Sequence, residues 1–168
     1  MNTSLVLTIL GPDRTGLVGA VADAVAGHGG SWQESRMARL AGQFAGILRV
    51  ECPTANREAL EKDLTSLGER GLTVTVAHDV SPAGGGGETL VIDITGHDEP
   101  GIVKRIASTL AGLGVNVEEL ETSLESAPMA GHLLFCTRGK VRLPDNLNPA
   151  ELIEALEKVG ADLTVDVQ

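Results

Sequence analysis

Aromatic residues are nearly missing from this chain of 168: two Phe, one Trp and no Tyr. Any core must therefore be aliphatic, with Val, Leu, Ile and Ala supplying the burial. Basic residues are scarce as well, 13 against 23 acidic, for a net charge of −10. Binding along a phosphate backbone needs a concentrated positive face, so direct contact with nucleic acid is excluded as an expectation. Cysteine is limited to Cys52 and Cys136, each inside an apolar run and neither in a CxxC pair. They read as buried free thiols of a reducing cytosol. No apolar run approaches the length of a bilayer span, and no charged-then-apolar leader precedes the first strand-like segment. These absences lead to the expectation of a soluble, cytoplasmic protein without membrane contact.

What the sequence does contain is a repeat. Shifted by 85, "LVLTILGPDRTGLVGAVADAVAGHGGSWQE" (5–34) falls on "LVIDITGHDEPGIVKRIASTLAGLGVNVEE" (90–119) with twelve of thirty pairs identical. Gly11/Gly96, Asp13/Asp98, Gly16/Gly101, Val18/Val103, Gly27/Gly112, Gly29/Gly114 and Glu34/Glu119 are among them. The register resumes at Ala45-Gly46 against Ala130-Gly131, which marks an internal duplication. Between the copies, "SPAGGGGE" cannot hold a helix or strand interior and reads as a linker. The expected organisation is 1–80, a linker at 81–88, and 89–168.

Each copy carries the same succession of patterns. Short β-type runs at 3–10 and 89–95 end in a glycine turn. Leu17, Val21 and Val25, with Val18 and Ala22 beside them, predict a helix, as do Ile102, Ile106 and Leu110 with Val103 and Ala107. Pro100 is expected just inside the second of these helices, and "GHGG" and "GLG" are expected to end them. Strand pairs follow at 32–40 and 43–51 around Ala41-Gly42, and at 115–124 and 131–137 around "ESAPMA". Leu60, Leu64 and Leu67 predict the second helix of copy one, and Leu152, Leu156 and Val159 that of copy two. The latter opens with Asn148 as N-cap, Pro149 at the first position and Glu151 completing a capping box. Strands at 72–79 and 163–167 close the units. The order βαββαβ predicts an α+β fold: two ferredoxin-like units, each a four-stranded antiparallel sheet with two helices on one face.

The frame Gly11-Pro-Asp-Arg-Thr-Gly16, matched by "GHDEPG", has the glycine spacing of a phosphate loop. A phosphate loop needs Lys and Ser/Thr after the second glycine, and here Leu17-Val18 and Ile102-Val103 follow; GxGxxG is missing too. A nucleotide site is not expected. A strand feeding a helix through such a turn leaves unpaired N–H groups and the positive end of a helix dipole at the loop. A single carboxylate suits that place. Asp13 or Asp98, or a side-chain carbonyl such as Asn116, could meet an ammonium, and together these are the two ends of a free amino acid. Asp at a helix mouth equally reads as an ordinary cap or dipole complement.

The repeated "GPDRTGLVGAVADAVAGHGGSWQES" and "GHDEPGIVKRIASTLAGLGVNVEEL" resemble the signature of ACT domains, βαββαβ regulatory modules that commonly bind amino acids. The resemblance lies in D-x-x-G followed by two aliphatics, a helix, and G-x-N/S opening the next strand. Two units filling a chain of this size resemble the glycine cleavage system transcriptional repressor group. The resemblance implies a ligand between units, held by the turn before the first helix and the start of the second strand. Residue by residue it nominates Asp13, Arg14, Thr15, Gly16, Leu17, Val18 and Ser31 in copy one. In copy two it nominates Asp98, Glu99, Pro100, Gly101, Ile102, Val103 and Asn116. Arg14 against Glu99 and Ser31 against Asn116 make the two turns chemically unlike, so equal sites are not expected. The ligand implied is a small amino acid, glycine or serine, and the partners implied are a DNA-binding activator protein and a second copy of the chain. A ligand-free homodimerisation module, or a regulatory fragment related to formyltetrahydrofolate deformylase, is the alternative.

His28, His78, His97 and His132 lack paired spacing for a metal, no metal or cofactor is expected, and His97 reads as an exposed loop residue. Trp32 reads as packing, and "EALEKDL" and "ELIEALEK" as solvated helix faces. No nucleophile–base signature is present, so catalysis is not expected.

Overall fold

In the computed structural model of the chain, residues 1–80, 86–127, 131–160 and 162–168 are described. Two compact units divide it, Met1–Pro82 and Ala83–Gln168. Residues 81–85 of the expected linker, and 128–130 of the expected "ESAPMA" connection, lie outside the described residues.

The first unit runs β1 (Asn2–Pro12), α1 (Leu17–Gly27), β2 (Ser31–Leu40), β3 (Gln43–Pro53), α2 (Arg57–Ser66) and β4 (Thr73–His78). The second repeats the order as β5 (Thr89–His97), α3 (Ile102–Gly112), β6 (Asn116–Ser126), β7 (Leu133–Arg142), α4 (Pro149–Glu157) and β8 (Thr164–Val167). The sheets have strand orders β2-β3-β1-β4 and β6-β7-β5-β8, antiparallel throughout. The α+β, tandem ferredoxin-like fold is as the repeat predicts.

Alternation decides which face of each sheet the helices cover. In β1, Leu5, Leu7 and Ile9 are buried, as are Leu90, Ile92 and Ile94 in β5. They meet the helical stripes Leu17, Val21, Val25 and Ile102, Ile106, Leu110, with Leu60 and Leu64 or Leu152 and Leu156 beside them. The two cores share no residue. Val18 and Val103, one position along each stripe, remain exposed at the helix start. Trp32 is half-buried against the first core, as expected of a packing residue.

Several boundaries fall differently from the sequence pattern. Leu67 lies in a 3-10 turn, Leu67–Arg70, that follows α2, and is buried from there. Pro100 lies in the turn ahead of α3, because Gly101 takes the N-cap position at φ 84. Gly16 does the same at φ 90 before α1. No side chain meets a Cβ placed on either glycine, so the left-handed backbone and not crowding calls for glycine there. Gly46 stands within β3 opposite Ile9, while the place opposite Ile94 in β7 is taken by Thr137. Gly131 precedes β7, so the repeat's register slips after β6. One edge strand of each sheet, β2 and β6, carries a bulge at the same place, Trp32/Glu34 and Val117/Glu119.

The start of α4 forms as predicted. The Asn148 side chain accepts from the Glu151 N–H at 3.0 Å, and the Glu151 carboxylate accepts from the Asn148 N–H at 3.0 Å. Asn148→Ala is expected to destabilise the second unit by about 1 kcal/mol, read as a lower denaturant midpoint. An unchanged midpoint would mean that water replaces the cap at no cost.

Candidate functional site

The turn of the second unit opens onto a cavity of about 420 Å³. Six consecutive residues, Asp98 to Val103, form one side of it. Thr122, Ser123 and Leu124 of β6, with Phe135 of β7, form the other. Helical bonding begins with the Arg105 N–H donating to the Gly101 carbonyl at 3.0 Å, and the Ile102 N–H donates to the Glu99 carbonyl at 3.1 Å. Among the described residues the N–H groups of Gly101, Val103 and Lys104 have no acceptor, and no side chain caps the helix. Partial positive charge is thus concentrated at the cavity's edge.

The acidic residues of this turn divide their tasks. Glu99 accepts from Arg105 Nη2 at 2.6 Å, which leaves it occupied. Among the described residues the Asp98 carboxylate has no hydrogen-bond or ion-pair partner; its N–H donates to the Leu133 carbonyl at 3.2 Å and fixes the turn. A free carboxylate beside unsatisfied N–H groups is the arrangement a zwitterion requires, and it is not a helix cap.

The first unit's turn is built differently. Asp13 is engaged: Arg39 Nη1 donates to its carboxylate at 3.3 Å, and its N–H donates to the Gly42 carbonyl at 2.9 Å. Arg14, Thr15, Gly16 and Leu17 line a separate cavity, of about 300 Å³, on the side of the 3-10 turn Leu67–Arg70 and not of β2. Val18, Asp13 and Ser31 are not part of it.

Asn116 and Ser31 do not join the turns of their own units. Asn116 pairs with Arg142, which also faces Thr89 at the beginning of β5. Asp98 follows the other end of that strand, about nine residues and roughly 30 Å away. Ser31 is placed likewise, opposite Glu51. Thr122, Ser123, Leu124 and Phe135 are the lining residues the sequence reading missed. Pairing Leu124 with Phe135 brings them to the turn, and only the register of β6 on β7 reveals that.

His97 is a correction. It is the last residue of β5, opposite Leu134, not a loop residue. Its Nδ1 lies 3.0 Å from Asp162 Oδ2, and its ring stacks on His132 with centroids 4.2 Å apart. Among the described residues no group of three His, Cys, Asp or Glu is placed to hold a metal ion. Cys52 is buried and unpaired, and burial pushes its thiol pKa up, against the opposing pull of Arg57. Cys136 is a free, half-buried thiol in β7. No helix among the described residues is long and apolar enough to cross a membrane.

Comparison with known proteins fits this architecture. A solved structure of an unknown protein from Galdieria sulphuraria is 29% identical, with TM-score 0.87, covering 100% of this chain and 98% of that one. A structure described as "putative glycine cleavage system transcriptional repressor" is 18% identical with TM-score 0.71, again covering 100% and 98%, and shows a shared fold. No curated protein matches. The ACT domain model matches twice, over residues 3–77 and 88–168. With each unit's sheet order, helices and turn accounted for in those two matches, the chain belongs to the ACT domain family, whose members are regulatory modules.

Proposed function

We propose that this protein is a cytoplasmic amino-acid sensor whose second unit binds the ligand at Asp98–Val103. The observation that carries the reading is the Asp98 carboxylate, which among the described residues is unpaired and shares one cavity with Gly101 and Val103, whose N–H groups have no acceptor. The ligand's carboxylate takes the N–H groups, Asp98 takes the ammonium, and Pro100, Ile102 and Val103 flank the site. Glu99 serves the turn through Arg105. Glycine or serine is the ligand first expected. Regulation runs to the transcription of glycine and one-carbon genes through a protein partner, a DNA-binding activator, since the charge of −10 disfavours direct DNA contact. Ligand acts by binding one conformational state more tightly than another. Homodimerisation is supported by β6, an edge strand exposed along all eleven residues, with Val117, Leu120 and Leu124 uncovered.

A thermal-shift panel of the twenty amino acids tests the site. A selective, saturable rise in melting temperature is expected, with affinity at least tenfold weaker in Asp98→Asn, the loss of one charge-assisted contact being about 1.5–3 kcal/mol. Asn116→Ala is expected to bind normally. A flat panel at millimolar ligand overturns the sensor, and a loss confined to Asn116→Ala moves the ligand away from this cavity.

A further inference from the structure

We propose that the first unit binds a small organic dianion, a dicarboxylate or a phosphate monoester, between Arg14 and Arg70. Both arginines line the cavity of about 300 Å³, together with Thr15, Leu17, Leu67 and Leu72. They reach it from separate elements, Arg14 from the turn before α1 and Arg70 from the end of the 3-10 turn Leu67–Arg70. Arg14 Nη2 lies 3.6 Å from the place a Cβ on Gly71 would occupy, so the Arg14 side chain crosses toward Arg70's own neighbour.

Among the described residues neither Arg14 nor Arg70 has a hydrogen bond or ion pair. Arg39, Arg49 and Arg57 of the same unit each face a carboxylate. In a chain with 23 acidic and 13 basic residues, two cations converging on one cavity without an acid between them is against the charge balance. Like charges held together repel, and an anion placed between them removes the repulsion and gains forked, charge-assisted hydrogen bonds. Two guanidiniums match two negative charges. Leu17, Leu67 and Leu72 give the cavity an apolar side that suits a short hydrocarbon stem and not a bare inorganic ion. Thr15 adds a hydroxyl. The repeat does not supply a second such place, because Glu99 stands in the second unit where Arg14 stands in the first.

Titration of the full chain with succinate and with glycerol 3-phosphate at constant ionic strength tests the assignment, followed by amide chemical shifts. Acetate and chloride are the controls. Saturable shifts at Thr15–Leu17 and Arg70 are expected with at least one dianion, tightening as salt is lowered. Affinity should fall at least tenfold in Arg14→Gln and in Arg70→Gln, both exposed positions, and hold in Asp98→Asn. Response to succinate alone assigns dicarboxylates, and response to glycerol 3-phosphate alone assigns phosphate monoesters. Shifts no larger than those from chloride, or binding undiminished in both arginine variants, overturn the proposal. The amino-acid panel reads the other unit, so failure of one leaves the other standing.

Discussion

Leu60→Ala is expected to lower the stability of the first unit by about 3–5 kcal/mol and to leave the second unit's transition where it was. Leu60 projects from α2 into the sheet at 0% exposure, within a core that includes Leu5, Leu7, Val21 and Leu64. Truncation removes its transfer free energy and leaves a hole that fully engaged neighbours cannot close. An aliphatic core makes this worse, since the two Phe and one Trp give few large, adaptable side chains to shift inward. The confinement of the effect follows from the two cores having no common residue. Hydrogen exchange resolved by residue checks both parts. Protection should fall in β1, β3 and α2 while β5, β7 and α4 keep theirs. Equal loss in both units would show that the chain unfolds as one cooperative block. Leu152→Ala, the corresponding change at 0% exposure in the second unit, should give the mirror result.

The fold was largely legible because duplication doubles every local signal. Leu17, Val21 and Val25 alone could belong to any amphipathic helix, but Ile102, Ile106 and Leu110 repeat the stripe at the same offset from a glycine. Asn148, Pro149 and Glu151 carry their capping chemistry within four residues, and local chemistry is what a sequence displays best. The candidate site was legible only in half. The turn residues of the candidate site are contiguous and can be read along the chain, whereas Leu124 and Phe135 join the same cavity through strand register. Asn116's distance from the turn was available from topology. α3 leads away from the end of β5, so the strand that follows it must begin at the far end of the sheet. The side on which each turn opens was not available. It depends on the 3-10 turn bringing Arg70 toward Arg14 in one unit, and on Glu99 pairing with Arg105 in the other. The partnership of His97 with Asp162 and His132 is equally non-local.

Gly11→Ala and Gly96→Ala are expected to differ sharply in cost, although the two positions are identical in the repeat. Each glycine is a strand residue on the helix-covered face, near the end of β1 or β5, and its φ is ordinary. Crowding, not backbone conformation, is therefore what each tolerates by lacking a side chain. A Cβ on Gly11 would stand 2.7 Å from the Gly71 carbonyl oxygen and 3.4 Å from Leu72 Cα. Those are main-chain atoms, anchored by the Leu72 N–H donating to the Leu67 carbonyl at 3.1 Å, and they cannot rotate away. A Cβ on Gly96 meets chiefly the Cδ2 end of Leu163, a flexible side chain that is only half-buried. Overpacking against fixed backbone sits at the upper end of the usual range, about 2–3 kcal/mol, and against a mobile side chain at about 1 or below. For a domain of this size the first change should lower the melting temperature by roughly 8–20 °C, and the second by a few degrees. Comparable shifts in the two variants would mean that the Gly71 bend yields as easily as a leucine tip. The frame Gly11–Gly16 thus has two glycines with separate reasons. Gly16 supplies the left-handed N-cap, and Gly11 admits the bend that carries Arg70. Gly11→Ala should therefore also weaken dianion binding at the arginine cavity, while Gly96→Ala leaves it intact.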